Sequence, residues 1–554
     1  MPEVHVGTVG EVPTYWVDLG RETLSAVMLF RCGMVDETLL TRGWLHLLEH
    51  LALHGRDAES GALHVNGSVG LLYTQFEVHG PRDQVVRALG HIAAWLRDPT
   101  LDRANREADV LRAESALRGT GQIGQALLWR YGPQGPGLAG YDEFGLHAVR
   151  SEPLRELVSR VFTTGNAALV LDGPPPPDLE LALPAGARLH MPRATSLAQD
   201  LPLGYVISGG VTMSGNLPRS NAAILMPMIL RERVNRVLRV EGAGAYAPWA
   251  HYEPVDADRA IAVVGSDISE TLRPSVVTQL LGVLDALATG AEVAESLDRA
   301  RDGYLQAMRD PFNAAGMGFR AAREHLQGKT PTLTLSDNCA GIEAVTAGDI
   351  QDLSLQVLRT LMLGVEGKVQ WDDQVIPMGR FPTRPMGKGR RYRSASYPAE
   401  TGRLLIGTNA LAMGDPSDAM TIDIDQIAAV VASGDGGRQV VDANGWILNI
   451  EPTLWRRGQQ AIQNLDERIP SNKVVRLPSR ASVPKPLSPW ELVRASARKL
   501  RSTLAILGGV ALVAIALAVY LATPAGTRSP SGGAALVTGT VIWLILRTRG
   551  PLRR

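Results

Sequence analysis

The stretch Gly43-Trp-Leu-His46-Leu-Leu-Glu49-His50-Leu-Ala-Leu-His54-Gly55 decides how the rest of the chain is read. On a helix, residues four apart project from one face, so the imidazoles of His46 and His50 can hold one ion between them. Glu49 stands beside them. This H-x-x-E-H order is the inverse of H-E-x-x-H, in which the glutamate takes the proton of a water polarised by zinc. A catalytic zinc also needs a third protein ligand and an open position. Glu107 and Glu114 are the candidates, because they are two helical turns apart and share one face of a helix predicted over about 102–118. Taken alone, the histidine pair also fits a helix that merely faces a polar groove. His54, one turn further on, reads as a helix-end residue.

The chain has 554 residues, which predicts several folding units. With 45% hydrophobic and 20% charged residues, it is neither disordered in bulk nor composed like a polytopic transporter. Lys+Arg and Asp+Glu both number 56, so no global field points to nucleic acid or to an acidic substrate, and any basic patch must be local. The two cysteines, Cys32 and Cys339, exclude a disulfide scaffold or a cysteine-based metal cluster and point to a reducing compartment.

The first residues, Met1-Pro-Glu-Val-His5, carry an acid and no basic cluster before an apolar run. They do not read as a secretory or transit peptide, so the N-terminal domain is expected to stay where it is made. Near the other end, 504–522 is uncharged and rich in Leu, Ile, Val, Ala and Gly, a transmembrane signal. The shorter run 532–546 reads as a second span or a re-entrant segment, with a span favoured. Arg494, Arg498, Lys499 and Arg501 precede the first run, and Arg547, Arg549, Arg553 and Arg554 follow the second. The intervening loop holds only Arg528, so a hairpin with both ends cytoplasmic is expected, joined to the rest by a basic juxtamembrane tether over 476–503.

Prolines 174–177 and the aperiodic stretch after them read as a linker, 176–200, between two α+β units over 1–175 and 201–378. A Pro-, Gly- and Arg-rich loop over about 379–396 opens a small β-rich domain, 379–475, with strand-like Arg403-Leu-Leu-Ile406 and Trp446-Ile-Leu-Asn-Ile450. Asp435-Gly-Gly437 and Asn444-Gly445 supply hairpin turns, and 452–465 supplies a closing helix, an order that suggests a pleckstrin-homology-like barrel.

The motif region resembles the insulinase and pitrilysin metallopeptidases, whose short members include the mitochondrial processing peptidase and its bacterial relatives. Glu37 and Gly43 match the acidic residue and glycine that precede the family's histidines, and Gly55 matches the glycine near the helix end. Asn66 and Thr74 resemble the asparagine and threonine of its strand pair, with Asn66 the implied substrate contact. The resemblance implies His46, His50 and Glu114 as zinc ligands, Glu49 as the catalytic base and Glu107 as a supporting carboxylate. The segment from Gly55 to Asn66 is shorter than the family's usual one.

The second unit lacks another H-x-x-E-H, but Leu238-Arg239-Val-Glu-Gly-Ala-Gly-Ala-Tyr246 resembles the family's L-R-x-x-x-G-x-A-Y element, with Ala243 at its glycine position. The implied role of Arg239 and Tyr246 is to donate to the charge developing on a scissile carbonyl. What the resemblance implies is therefore an α+β protein whose two related domains form half of a clam-shell chamber. Its expected activity is zinc-dependent endopeptidase action on short or unfolded peptides, anchored to a membrane and facing the cytoplasm. Long relatives carry four such domains in one chain, so this chain is expected to work as a homodimer or with a related subunit, and without nucleic acid. The alternative is a catalytically silent relative that presents a peptide or partner at the membrane.

Overall fold

The computed structural model describes residues 3–492 except 56–61, 119–120, 199–200, 243, 368, 379–380 and 489. The first domain holds strands β1 (His5–Val9), β2 (Val12–Trp16), β3 (Thr23–Phe30), β4 (His64–Val69), β5 (Thr74–Pro81) and β6 (Ala167–Leu171) in the sheet order β1-β2-β6-β3-β5-β4. Helix α1 (Trp44–Leu53) follows β3, and α2 (Arg82–Arg97), α3 (Ala104–Arg118), α4 (Gly121–Tyr131) and α5 (Ser151–Val161) lie between β5 and β6. Alternation decides the faces: Leu24, Met28 and Phe30 of β3 point toward the helix side with Phe76, Leu89 and Phe162, whereas Leu29 points to the other face with Tyr15 and Val170.

The second domain repeats the plan. Its strands β7 (Leu203–Ile207), β8 (Val211–Pro218), β9 (Trp249–Pro254), β10 (Arg259–Ser266), β11 (Met362–Glu366) and β12 (Ile376–Pro377) run in the order β12-β7-β11-β8-β10-β9. In both sheets a late strand is inserted between two early ones, β6 parallel to β2 and antiparallel to β3, and β11 parallel to β7 and antiparallel to β8. Helices α6 (Asn221–Val234), α7 (Val276–Ala288), α8 (Val293–Met308) and α11 (Ala347–Arg359) build its main core, with α9 (Pro311–Leu326) and α10 (Leu335–Glu343) between them in the chain.

Each domain lends the other a helix. Met317, Ala321 and Leu326 of α9 cover the open face of the first sheet beside Tyr15, Leu29 and Val170, while Leu127 and Tyr131 of α4 cover Ile261 and Val263 of β10. Arg130, wholly buried, is a polar contact there: one of its terminal nitrogens donates to the Ser214 carbonyl at 3.1 Å and the Thr360 carbonyl at 2.9 Å. The linker expected between the two domains runs without a regular element through 173–198 and is held down by its backbone, as in Ala194 N–H to Asp256 at 3.0 Å.

The third domain has a five-stranded antiparallel sheet of β13 (Thr383–Arg384), β14 (Arg390–Arg393), β15 (Arg403–Ile406), β16 (Ala410–Asp415) and β17 (Asp418–Asp423), ordered β13-β17-β16-β15-β14. A second sheet, β20-β19-β18-β21, is made of β18 (Ile427–Ser433), β19 (Arg438–Asp442), β20 (Ile447–Ile450) and β21 (Val474–Leu477). The two sheets share one core with α12 (Gly458–Asp466). Two sequence expectations shift here. The loop expected over 379–396 contains β14, whose arginines flank the buried Tyr392 and disguise a strand as a basic loop. The tether expected from 476 begins as β21 and then stays docked: Thr453 donates to the Pro484 carbonyl at 2.5 Å, and Leu487 N–H donates to Ser396 Oγ at 2.9 Å. Among the described residues no single helix is long and apolar enough to cross a membrane; the expected spans at 504–522 and 532–546 lie outside the described residues.

Candidate metal centre

Helix α1 starts because a side chain caps it from outside. Its N-terminal Gly43 sits at φ +97°, and the buried Glu37 carboxylate accepts from Gly43 N–H at 3.2 Å and Leu45 N–H at 2.9 Å. Arg42 closes the arrangement by donating to Glu37 at 3.2 Å. Burial pushes the Glu37 carboxyl up, and the Arg42 guanidinium and the two amides oppose that shift. The helix ends at Leu53, with His54 as its C-terminal cap and Gly55 at φ +75°.

With the helix so placed, His46, His50 and Glu114 come together. One ligand atom of each lies within 4.8 Å of the other two. The imidazoles stand edge to face at 5.0 Å between centroids. Ligand atoms of a tetrahedral zinc, with bonds of about 2.0–2.2 Å, are about 3.3–3.5 Å apart, a spacing that small side-chain rotations reach from here. Two imidazoles and a carboxylate are a donor set suited to zinc in a catalytic site with one position open. The residues present therefore fit the ion.

His46 is oriented by a group that the sequence did not disclose. Its Nδ1 lies 3.0 Å from Glu143 Oε1, and since a carboxylate only accepts, Nδ1 carries the proton and Nε2 is left to bind a metal. Nε2 faces Glu49, 3.9 Å from Oε2. Glu143 follows Asp142 in a loop with no periodicity, far from the motif in sequence, so no pattern marks it. That loop ties the two ligand-bearing helices together: Trp44 of α1 donates to the Gly145 carbonyl at 2.9 Å, and Arg112 of α3 donates to the Leu146 carbonyl at 2.7 Å.

Glu49 is 5% exposed and lies against β4. A Cβ at Gly67 would come within 2.6 Å of Glu49 Cγ and would also strike Oε1, so the strand can approach the glutamate only where it carries glycine. Among the described residues β4 is an edge strand of its sheet, and Asn66 is exposed on it, across from Glu77 of β5. Thr74 is buried and donates to the Cys32 carbonyl at 3.0 Å. Burial raises the Cys32 thiol to about 12, which makes it an inert core residue.

Glu107 does not join the three-residue group. It lies 3.7 Å from His54 Nδ1 and 3.5 Å from Arg103, close to the other end of α1. Arg239 and Tyr246 are brought to one another, the guanidinium 5.8 Å from the ring centroid. Arg239 lies in a π-helical turn, Asn235–Glu241, that extends α6, and Tyr246 is 76% exposed with its N–H on Asp267 at 3.0 Å. Both belong to the second domain, and these contacts are made within it.

No family model matches the sequence, and no curated protein is similar to it by sequence. Solved structures are similar in fold. A protease from Helicobacter pylori matches with a TM-score of 0.53 at 14% identity, over 66% of this chain and 100% of its own. The M16 inactive domain from Pseudomonas fluorescens gives 0.53 at 13%, over 66% and 98%. The first half of the periplasmic protease PqqL from Escherichia coli gives 0.50 at 13%, over 66% and 93%. The chain has the M16 peptidase fold. At these identities the likeness speaks for fold alone, and it agrees with the α+β architecture expected from the motif resemblance. One of the three neighbours is an inactive domain, so the fold is compatible with either catalysis or its loss.

Proposed function

We propose that the protein is a zinc-dependent endopeptidase acting on short or unfolded peptides. The observation that carries this reading is the convergence of His46, His50 and Glu114 beside the buried Glu49. Bound there, zinc would polarise a carbonyl and make water acidic near neutral pH. Glu49 is the group in position to take a proton from that water and return it to the leaving amine, a contribution of about 10²–10⁴ in rate. Glu143 keeps the His46 ring in the tautomer that offers Nε2. The edge strand β4 can take an extended peptide as an added strand, with main-chain hydrogen bonds for affinity and Asn66 beside the path. Arg239 and Tyr246 are proposed to donate to the carbonyl oxygen from a second subunit, and the exposure of Tyr246 supports a role at a surface where another chain can reach it.

The reading extends to the whole chain. The apolar segments 504–522 and 532–546 are proposed to anchor it with both ends cytoplasmic. A four-strand meander, a three-strand meander and a helix support the pleckstrin-homology-like description of the third domain, with parallel β21 as an addition. The second reading, a silent scaffold, is favoured by the inactive neighbour and opposed by a full set of donors here. The deciding experiment is bound zinc and cleavage of a quenched peptide library, for the native chain and for Glu49→Gln. Zinc in both, with turnover only in the native chain, is the expected outcome; activity in Glu49→Gln would remove the mechanism, and zinc without cleavage in either would favour the scaffold.

A further inference from the structure

The third domain concentrates cations in one segment where they outnumber the acids. The segment 387–403 contains Lys388, Arg390, Arg391, Arg393 and Arg403 against the single acid Glu400, in a chain whose net charge is zero. Three arginines converge on one ring: Arg393, Arg403 and Arg456 lie 5.5, 5.3 and 5.8 Å from the centroid of Tyr397. The backbone enforces this, since Arg456 N–H donates to the Arg393 carbonyl at 2.8 Å and Ala395 N–H to the Leu454 carbonyl at 2.9 Å. Three other arginines of the domain are paired, Arg384 with Asp423, Arg438 with Asp466 and Arg480 with Asp435 and Glu451. Among the described residues Arg393, Arg403 and Arg456 form no ion pair. Arg403 donates to the Thr401 carbonyl at 2.7 Å and Arg456 to the Tyr397 carbonyl at 3.4 Å. Two carboxylates lie nearby and are engaged: Glu400 accepts from Ser394 at 2.8 Å, and Asp415, its charge favoured chiefly by hydrogen bonds from Ser417 and less by Arg403, accepts from Ser417 Oγ at 2.6 Å.

Like charges gathered on one ring repel, and an anion arriving from outside relieves that repulsion. The direction from which it arrives is set by the chain. Ser396, next to Tyr397, holds Leu487, and Thr453, three residues before Arg456, holds Pro484. The polypeptide therefore passes this cluster on its way to Trp490, which is 65% exposed, and then to the basic residues 494–501 and the apolar run 504–522. We propose that Arg393, Arg403 and Arg456 around Tyr397 form a docking site for the headgroups of anionic phospholipids, seating the third domain on the membrane in which its own C-terminal segment is anchored. A tryptophan at the interface and cations at headgroup depth are the side chains such a surface uses. The inference rests on the membrane reading of 504–522, and its test separates the two.

The full chain is placed in nanodiscs of phosphatidylcholine alone or with phosphatidylglycerol, and amide exchange is followed over 390–406 and 451–458. Slower exchange with the anionic lipid only, relieved by high salt, is expected. Each of Arg393→Gln, Arg403→Gln and Arg456→Gln should weaken docking about fivefold at physiological salt, and the lysine variants should retain most of it. Equal exchange in the two discs, or protection untouched by the glutamine variants, would overturn the site. So would the same protection produced in neutral discs by an acidic peptide or a single-stranded oligonucleotide. A chain that does not enter discs refutes the anchor instead, and its sedimentation with anionic vesicles, native against triple glutamine variant, then reads the docking site alone.

Discussion

Glu143 is the residue on which the candidate metal centre turns without belonging to its three-residue donor set. It accepts from His46 and lies 3.4 Å from Arg42, so one carboxylate connects the ligand to the cap of its helix. Glu143→Ala should lower zinc affinity about 10–100-fold, measured by competition with a chelator, while leaving the fold intact. A zinc affinity equal to the native value would show that His46 needs no external orientation. Gly67 tests the opposite side of the site. Gly67→Ala forces a methyl into Glu49, and the expected result is loss of turnover with zinc content unchanged, because the ligands lie on α1 and α3 rather than on β4. Loss of zinc in that variant would mean that the strand also positions the ligands.

At the scale of elements, the hairpin β9–β10 is pinned to the linker by Asp256. This carboxylate is 3% exposed and accepts from Asp258 N–H, Arg259 N–H, Arg259 Nε and Ala194 N–H at 2.7–3.0 Å. Burial alone would raise its pKa, but those hydrogen bonds outweigh it and hold the group below the usual carboxylate value. The folded pKa being lower than the unfolded one, the stabilisation is fully present above about pH 4 and is lost as pH falls through the folded value. Asp256→Asn should therefore cost about 2 kcal/mol near neutral pH and little in strong acid, read from denaturant melts across that range. An equal loss at both extremes would assign the effect to packing instead. The same scale explains the reciprocal helices: α4 and α9 each bury apolar residues against the sheet of the neighbouring domain, so the two domains are expected to unfold together.

At the scale of the molecule, two features meet. The third domain rests on the first through Ala429 and Val441 against Leu138 and Tyr141, immediately before the Glu143 loop. The proposed lipid-facing domain thus touches the segment that orients His46. Among the described residues the two related domains also supply one candidate ligand set, with Arg239 and Tyr246 on the domain that lacks it. If a two-fold dimer completes each site, mixing inactive Glu49→Gln chains with inactive Tyr246→Phe chains should restore part of the activity, since one composite site in a mixed dimer carries neither change. No recovery where subunit exchange is demonstrated would mean a site completed within one chain or by a different subunit.

His46, Glu49 and His50 were legible in the sequence because a helix turns spacing into geometry, whereas spacing left Glu107 and Glu114 both open and only the family resemblance singled out Glu114. The repeated α+β plan was legible for a similar reason, since its apolar periodicities are local. Glu143 was not, because its link to His46 joins a loop to a helix 97 residues away and leaves no periodic trace. Nor was the arginine cluster at Tyr397, whose members come from β14, β15 and the turn before α12 and meet only when antiparallel pairing brings 393–397 beside 454–456. Local spacing determined which residues could hold a metal. Long-range packing decided which carboxylate orients them and where unneutralised charge collects.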